Sequence, residues 1–397
     1  MTTAKPLRVG MVGYAFMGAA HSHAWRTAPR FFDLPLDPQL TALCGRNDDG
    51  VRAVAGKLGW GSVETDWRRL LERDDIDLID ICTPGNTHAE IAIAALEAGK
   101  HVLCEKPLAN SVAEAERMTE AAQAAAQRGV FSMCGFSYRR TPALALAKRM
   151  VDDGRLGNIR HVRAQYLQDW LSDETAPMTW RLDKSKSGSG SLGDIGAHSI
   201  DAAQWVTGQQ ITGVSALLET FVHERPLTGD LVGLGGHGDV GADAPRGTVT
   251  VDDAAIFTAR FDGGATSAGA VGVFEATRFA LGRKNAMRLE VNGTKASLAF
   301  DFEEMNVLSF YDAAESPDAG FRRIFVTEPE HPYAGNWWPT GHGLGYEHGF
   351  THQVVDLVTA IGAGEQPSPS FADALQVQKV LAAVEGSAAE SSRWQKV

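Results

Sequence analysis

In the first 135 residues, short apolar runs alternate with longer segments of helical period. "LRVGMVG", "LTALCGR", "IDLIDICT", "HVLCEK" and "VFSMCGF" are the runs. "MGAAHSHAWRTAP", "DGVRAVAGKLG", "WRRLLERDD", "HAEIAIAALEAGK" and "SVAEAERMTEAAQAAAQRG" lie between them. Strands that are apolar along their whole length need cover on both faces, and helices returning between them impose parallel pairing. That order predicts a doubly wound α/β domain. Pro29 predicts the end of the first helix, and Gly59 and Gly99 the ends of two later ones.

After about residue 138 the pattern changes. "IRHVRAQYL", "ITGVSALLETFV", "AAIFTARFDGGATSAGAVGVF", "NAMRLEVNGTKASLAFDF", "VLSFYD" and "RRIFVTE" follow one another as strand-like runs, with "FDGG" and "VNGT" as hairpin signals. They predict an α+β domain on a largely antiparallel sheet. "PLTGDLVGLGGHGDVGADAPRG" reads as a Gly-rich exposed loop, and "FTHQVVDLVTAIGAG" and "DALQVQKVLAAVEGSAAE" as late helices. The expected organisation is 1–137 as a first domain, 138–375 as a second, and 376–397 as a C-terminal helix packing back on the chain.

A chain of 397 residues has room for two or three such domains. The net charge of -12 argues against nucleic acid or an anionic membrane as the partner. No apolar run approaches the length of a membrane span, and "MTTAKPLRVG" lacks the features of a signal peptide. Cys44, Cys82, Cys104 and Cys134 form no C-x-x-C pair. They read as buried free thiols of a reducing cytoplasm.

The stretch "RVGMVGYAFMGAAHSHA" carries an incomplete G-x-G-x-x-G pattern, with Gly13 and Gly18 at the outer positions and Ala15 at the middle one. A strand-to-helix turn of this kind aims backbone N–H groups, here across Ala15, Phe16 and Met17, at a pyrophosphate on the helix N-terminus. The middle residue must only be small, so alanine is tolerable if its φ is negative. The bland alternative is a βα turn with no ligand. At the end of the second strand an acid would hold a ribose 2′-OH and favour NAD, whereas an arginine suits a 2′-phosphate. The chain has Arg46 in "LCGRNDD", which leaves NAD or NADP open. Further on, Glu105, Lys106 and Pro107 follow directly after a strand. Ligands bind outside the carboxyl ends of such strands, so Lys106 is placed to exchange protons there. The alternative is an ordinary surface lysine.

"TPGNTHAEIAIAALEAGKHVLCEKPLA" resembles the signature of the Gfo/Idh/MocA family, the glucose–fructose oxidoreductase and inositol dehydrogenase group. The likeness extends to "SGSGSLGDIGAHSID", which matches that family's Gly-rich lead into D-x-x-x-H. The resemblance implies an N-terminal Rossmann domain, a C-terminal α+β domain with a large open sheet, and oxidation or reduction of a secondary hydroxyl of sugars or inositols with NAD or NADP. It implies Lys106 and His198 as the acid–base pair and Asp194 as an orienting group. It also implies cofactor contacts at Thr83, Pro84, Asn86, His88 and Glu105. Asp194 and His198 share a face if their segment is helical. D-x-x-x-H can ligate zinc, but no third ligand has matching spacing, so no metal is expected. The sequence departs from the family at Ala15, and at Gly85, where many members have the asparagine that here comes one later as Asn86.

Trp170, Asp169, Trp180 and Arg181 lie just upstream of Asp194 and suit a polyol ring, which offers C–H faces to stack on and hydroxyls to bond. The alternative is that both tryptophans are core residues. "YLQDW" and "TWR" resemble a subset of the family that includes levoglucosan dehydrogenase and related pyranoside dehydrogenases. Tyr138 and Arg139 are expected near nicotinamide or substrate. His21 in "HSH" is expected to line the first helix near the cofactor. His348 and His352 are expected as a solvent- or substrate-facing pair, with His342 nearby. The resulting expectation is a dehydrogenase of a pyranose, anhydrosugar or inositol, forming a homodimer or homotetramer through its second-domain sheet. The alternatives are a hydrolase or lyase that oxidises its sugar transiently with bound NAD, and a non-catalytic NAD(P) sensor.

Overall fold

The computed structural model describes residues 4–227, 244–263, 269–314 and 316–397. Most of the Gly-rich segment expected as a loop lies outside them. The chain divides into two compact units: Met1–Arg140 with Gly345–Leu375, and Thr141–Leu344 with Gln376–Val397.

The first unit opens with β1 (Lys5–Val12), α1 (Phe16–Phe31), β2 (Leu36–Cys44), α2 (Asp48–Leu58), β3 (Ser62–Glu64) and α3 (Trp67–Leu71). It continues with β4 (Leu78–Ile81), α4 (His88–Glu97), β5 (His101–Cys104), α5 (Val112–Ala126) and β6 (Ser132–Cys134). The strands form one parallel sheet in the order β3-β2-β1-β4-β5-β6. This is the doubly wound order, and it puts a switch point beside β1. Local chemistry sets the helix ends. Asn47 accepts from Gly50 N and Ser111 from Glu114 N as N-caps, while Gly59 closes α2 in the left-handed region. Gly99, after α4, also has positive φ. The helix expected to stop at Pro29 runs on to Phe31. Proline in the last turn removes one intrahelical donor, and Phe32 N still bonds Ala28 O.

The second unit contains α6 (Pro142–Asp152), β7 (Ile159–Leu167), α7 (Lys184–Ser187), α8 (Ala197–Thr207) and β8 (Ile211–Glu219). The strands β9 (Glu224–Pro226), β10 (Arg246–Thr248), β11 (Ala254–Phe261), β12 (Val271–Thr277), β13 (Ala286–Gly293), β14 (Ala296–Asp301), β15 (Val307–Asp312) and β16 (Arg322–Phe325) follow. The chain then forms α9 (Tyr346–Ala363), α10 (Phe371–Ala389) and β17 (Gln395–Lys396). The large sheet has the order β16-β15-β14-β13-β7-β12-β11-β8-β17. It is antiparallel except where β12 pairs β7 in parallel. The expected hairpins are present: β11 pairs β12 and β13 pairs β14. On β11, buried and exposed residues alternate, as in a sheet with one covered face.

The division falls after Arg140 and after Leu375, and the segment Gly345–Leu375, expected in the second domain, groups with the first unit. α9 belongs with the first unit, where Phe350, Val354, Leu357 and Val358 join the core of Val9, Met11, Trp25 and Leu43. Each such buried side chain contributes about 1.5–3 kcal/mol, so α9 is bound to α1 by apolar burial rather than by sequence proximity. The C-terminal segment ends in a strand: β17 pairs β8 at the edge of the large sheet.

Candidate active site

The turn between β1 and α1 fits the backbone requirements of a dinucleotide site. Gly13 has φ +101°, and a Cβ there would lie 2.6 Å from Cys82 O. A Cβ on Gly18 would collide with Gly13 O, so this glycine permits the close helix–strand approach. Both positions exclude every side chain. Ala15 is exposed and is the N-cap of α1 with φ -72°, which meets the condition set for alanine there. It supplies no side-chain cap, and no acid stands in the first turn, so the positive end of α1 is left for an anion. Met17 packs partly into the core. Phe16 is exposed and stacks on Tyr346, with ring centroids 6.1 Å apart and an interplanar angle of 16°.

At the end of β2, Arg46 is exposed and Asn47 is committed to capping α2. Asp48 pairs with Arg52 at 2.9 Å. After β4, Thr83 and Pro84 lead into a single turn, Gly85–Thr87, with Asn86 exposed. The departure at Gly85 has a physical reason: a side chain there would meet Asn110 Oδ1.

The side chains of His88, Glu105 and Arg139 are buried. His88 is buried, with Nδ1 3.0 Å from Pro107 O and Nε2 2.8 Å from Thr83 O. It ties the loops after β4 and β5 together, and burial lowers its pKa. Glu105 is 5% exposed and turns its carboxylate inward to His21 Nε2 at 3.0 Å. Arg139 is buried and bonds Ser368 Oγ at 3.2 Å. Lys106 follows β5 half-buried, joined to Pro107 by a cis peptide. Tyr138 is buried in the turn Ser137–Arg140. His348 is no member of an open pair: its Nδ1 accepts from Gly345 N and caps α9. His352 is fully buried against Arg140 O. His342 lies in the second unit, with Nδ1 2.8 Å from Pro339 O.

The second unit carries the other constellation. Asp194 sits in a wide helical turn, Leu192–Gly196, that runs directly into α8, and His198 is in the first turn of α8. Such π turns are frequent at functional sites. The turn is anchored by Asp252, whose carboxylate accepts from Gly190 N at 2.7 Å, Ser191 Oγ at 2.7 Å and Leu192 N at 2.8 Å. A side chain at Gly190 would collide with Asp252 O, which explains that glycine in "SGSGSLGD". His198 is 7% exposed, its ring 5.9 Å from that of Tyr166. Arg278, fully buried, reaches Asp194, and its guanidinium lies 5.4 Å from the Trp170 ring centre. Burial lowers the pKa of Arg181, opposed by the charge of Asp194. Arg181 stacks on Trp180 at 4.5 Å. Trp170 is partly buried against a small core of Leu171, Leu182, Val249 and Val251, so it combines packing with the cluster around Asp194. Asp169 stands apart, paired with the exposed Lys284 at 2.6 Å. Sequence reading missed Arg278, Asp252 and Tyr346, which lie far along the chain from the motifs they support.

Among the described residues, His21, Asp80 and Cys82 are a group whose donor atoms lie within 4.8 Å of one another. Direct hydrogen bonds join them: His21 Nδ1 is 3.0 Å from Asp80 Oδ1 and 3.4 Å from Cys82 Sγ. None of the described helices is long and apolar enough to cross a membrane.

Comparison with known proteins agrees with this geometry. A family model described as "Oxidoreductase family, NAD-binding Rossmann fold" matches residues 7–133, and one for the GFO/IDH/MocA C-terminal domain matches residues 144–299. Levoglucosan dehydrogenase of Pseudarthrobacter phenanthrenivorans is 41% identical over 97% of both chains. Among solved structures, an oxidoreductase domain protein from Kribbella flavida is 65% identical with a TM-score of 0.92, covering 99% of each chain. A levoglucosan dehydrogenase in complex with NADH and L-sorbose is 40% identical with a TM-score of 0.91, again covering 99% of each. The chain belongs to the GFO/IDH/MocA family of oxidoreductases, with an N-terminal NAD-binding Rossmann fold.

Proposed function

We propose that this chain is an NAD-dependent dehydrogenase that oxidises a secondary hydroxyl of a sugar, anhydrosugar or cyclitol, or reduces the corresponding ketone. The observation that carries the reading is the β1–α1 turn, where Gly13 and Gly18 exclude any side chain and Ala15 leaves the helix end open to an anion. A turn built in this way fits a dinucleotide pyrophosphate. Gly13, Ala15, Phe16, Met17 and Gly18 would hold the pyrophosphate end, Arg46 the adenosine end, and the loop of Thr83, Pro84 and Asn86 the nicotinamide end. Bound NAD supplies the hydride acceptor.

The chain's own residues move the proton. A carbinol carbon loses hydride only as its hydroxyl proton is taken, so a base must stand at that oxygen. Lys106 and His198 share this task, and Asp194 orients the reacting hydroxyl. Trp170, Arg181 and Tyr138 bind the rest of the ring. The name of the Pseudarthrobacter relative supports an anhydrosugar as the first substrate to try.

The test is a panel of anhydrosugars, pyranoses and cyclitols with NAD and with NADP, followed by the absorbance of reduced nicotinamide. The expected result is net cofactor reduction that Lys106→Ala abolishes without unfolding the protein. Product formation with no net reduction would instead establish a transient oxidation, and cofactor binding without turnover a sensor. We also propose a homo-oligomer built through the open sheet face, on which Leu217, Ile256, Val271 and Val273 are exposed. A monomer by light scattering at working concentration refutes it.

A further inference from the structure

His21 lies on α1 with 1% exposure, and both of its ring nitrogens face carboxylates. Nδ1 is 3.0 Å from each Asp80 oxygen and Nε2 is 3.0 Å from Glu105 Oε1. Trp25 Nε1 donates to Asp80 Oδ2 at 2.7 Å, which fixes the far end. At the near end, the other oxygen of Glu105 accepts from Lys106 N at 3.3 Å. Gly135 lies against the same carboxylate: a Cβ there would be 2.6 Å from Glu105 Oε1. Phe350 covers the imidazole, ring centroids 5.6 Å apart. A continuous buried chain therefore runs from Trp25 and Asp80 through His21 and Glu105 to the backbone of Lys106.

We infer that Asp80, His21 and Glu105 form a buried positioning chain that sets the place of Lys106 at the end of β5. The inference rests on the reading of Lys106 as the proton-exchanging lysine. Its physical basis is a count of donors. A neutral imidazole has one N–H and can satisfy one carboxylate, whereas the imidazolium has two and satisfies both. A buried carboxylate left without a donor is costly, so the arrangement favours the doubly protonated ring. The groups facing the ring are Asp80 and Cys82 from β4 and its end, Glu105 from the end of β5, and the side of α9 that carries Tyr346. The charge of Asp80 raises the His21 pKa against the opposing effect of burial. A network of this kind persists only when every member is satisfied, and truncating one member releases the next.

The experiment compares His21→Leu, His21→Gln and Lys106→Ala in the full-length protein. The readouts are kcat, KM for the sugar and its pH profile, NADH affinity, and nitrogen NMR of histidine-labelled protein. His21→Leu should lower kcat about 100-fold, the effect of a small misplacement of a reacting group. It should change NADH affinity little and displace the pH profile of kcat. His21→Gln, which still offers Glu105 a donor, should recover a large part of kcat. In wild type both ring nitrogens of His21 should be protonated at pH 7. The inference is overturned by a folded His21→Leu with wild-type kcat and pH profile, or by a neutral His21 ring at pH 7. Should His21→Leu not fold, the NMR signature decides: a doubly protonated ring supports the inference and a neutral ring at pH 7 overturns it. A Lys106→Ala variant that keeps activity removes the reading of Lys106 itself. A dead Lys106→Ala with a wild-type His21→Leu removes only the positioning chain.

Discussion

Arg278 Nη1 lies 3.3 Å from Asp194 Oδ2, and the guanidinium that makes the contact has no solvent exposure. The same group faces Asp252 O at 3.4 Å and the Trp170 ring at 5.4 Å. One buried cation thus ties the carboxylate before α8 to the segment that anchors its turn. Arg278→Met retains much of the volume and deletes the charge. Breaking a buried pair is strongly destabilising, but Asp194 keeps 27% of its side-chain exposure, so the expected loss is about 2 kcal/mol in urea denaturation. The expected fall in kcat/KM is about 10–100-fold. Arg278→Lys should not restore it, because an ammonium lacks the planar fork. Wild-type kcat/KM in Arg278→Met would show that the Arg278–Asp194 pair does not serve the reaction.

The two small residues of the first turn should respond differently. Gly13 has φ +101° with Cys82 O 2.6 Å from the missing Cβ. Gly13→Ala should therefore cost about 2–4 kcal/mol through strain and displacement of the loop after β4, and raise the Kd for NADH at least about tenfold. Ala15 has φ -72° and is exposed. Ala15→Gly should leave the Kd within about threefold and stability within about 0.5 kcal/mol, since glycine is at least as good an N-cap as alanine. Tighter NADH binding by Ala15→Gly, measured by fluorescence titration, would show that its methyl group crowds the phosphates.

The parallel sheet was legible because its strands are apolar on both faces and its helices obey cap and period rules that are local. The motifs were legible for the same reason: Gly13, Gly18, Lys106, Asp194 and His198 each sit in a short pattern. What was not legible depends on contacts made far along the chain. α9 packs on α1 across more than 300 residues, so its return to the first unit left no local trace. Glu105 sits in a short motif, but its carboxylate turns to His21, 84 residues earlier in the chain. His348 and His352 share a helical spacing, yet one caps the helix and the other fills the core. Arg278 and Asp252 lie in no motif and are identified only by what they hold.

Arg46 is an exposed guanidinium at the end of β2, where Asp48 is drawn away by Arg52. An acid in that place would hold a ribose 2′-OH and repel a 2′-phosphate. The wild type should therefore use NADP as well as NAD, with kcat/KM values within about tenfold. Arg46→Asp should lower kcat/KM for NADP about 100-fold and change that for NAD less than about threefold. Equal losses for both cofactors would assign Arg46 to the adenine or to the turn instead.

His352 gives a pH dependence of stability with a defined sign. It is fully buried, its Nδ1 is 2.9 Å from Arg140 O, and burial pushes its pKa down to about 3. Near pH 7 the folded imidazole is neutral and the unfolded one mostly so, and the group has little effect. As pH falls below the unfolded value of 6.5, the unfolded chain binds a proton that the folded chain refuses. Stability then falls by about 1.4 kcal/mol per pH unit until the folded group titrates near pH 3. Between pH 7 and pH 5 the wild type should lose about 2 kcal/mol more than His352→Asn, whose amide can donate to the same carbonyl and does not titrate. Urea denaturation of both proteins at the two pH values measures the difference. Parallel losses would mean that His352 is protonated in the folded state.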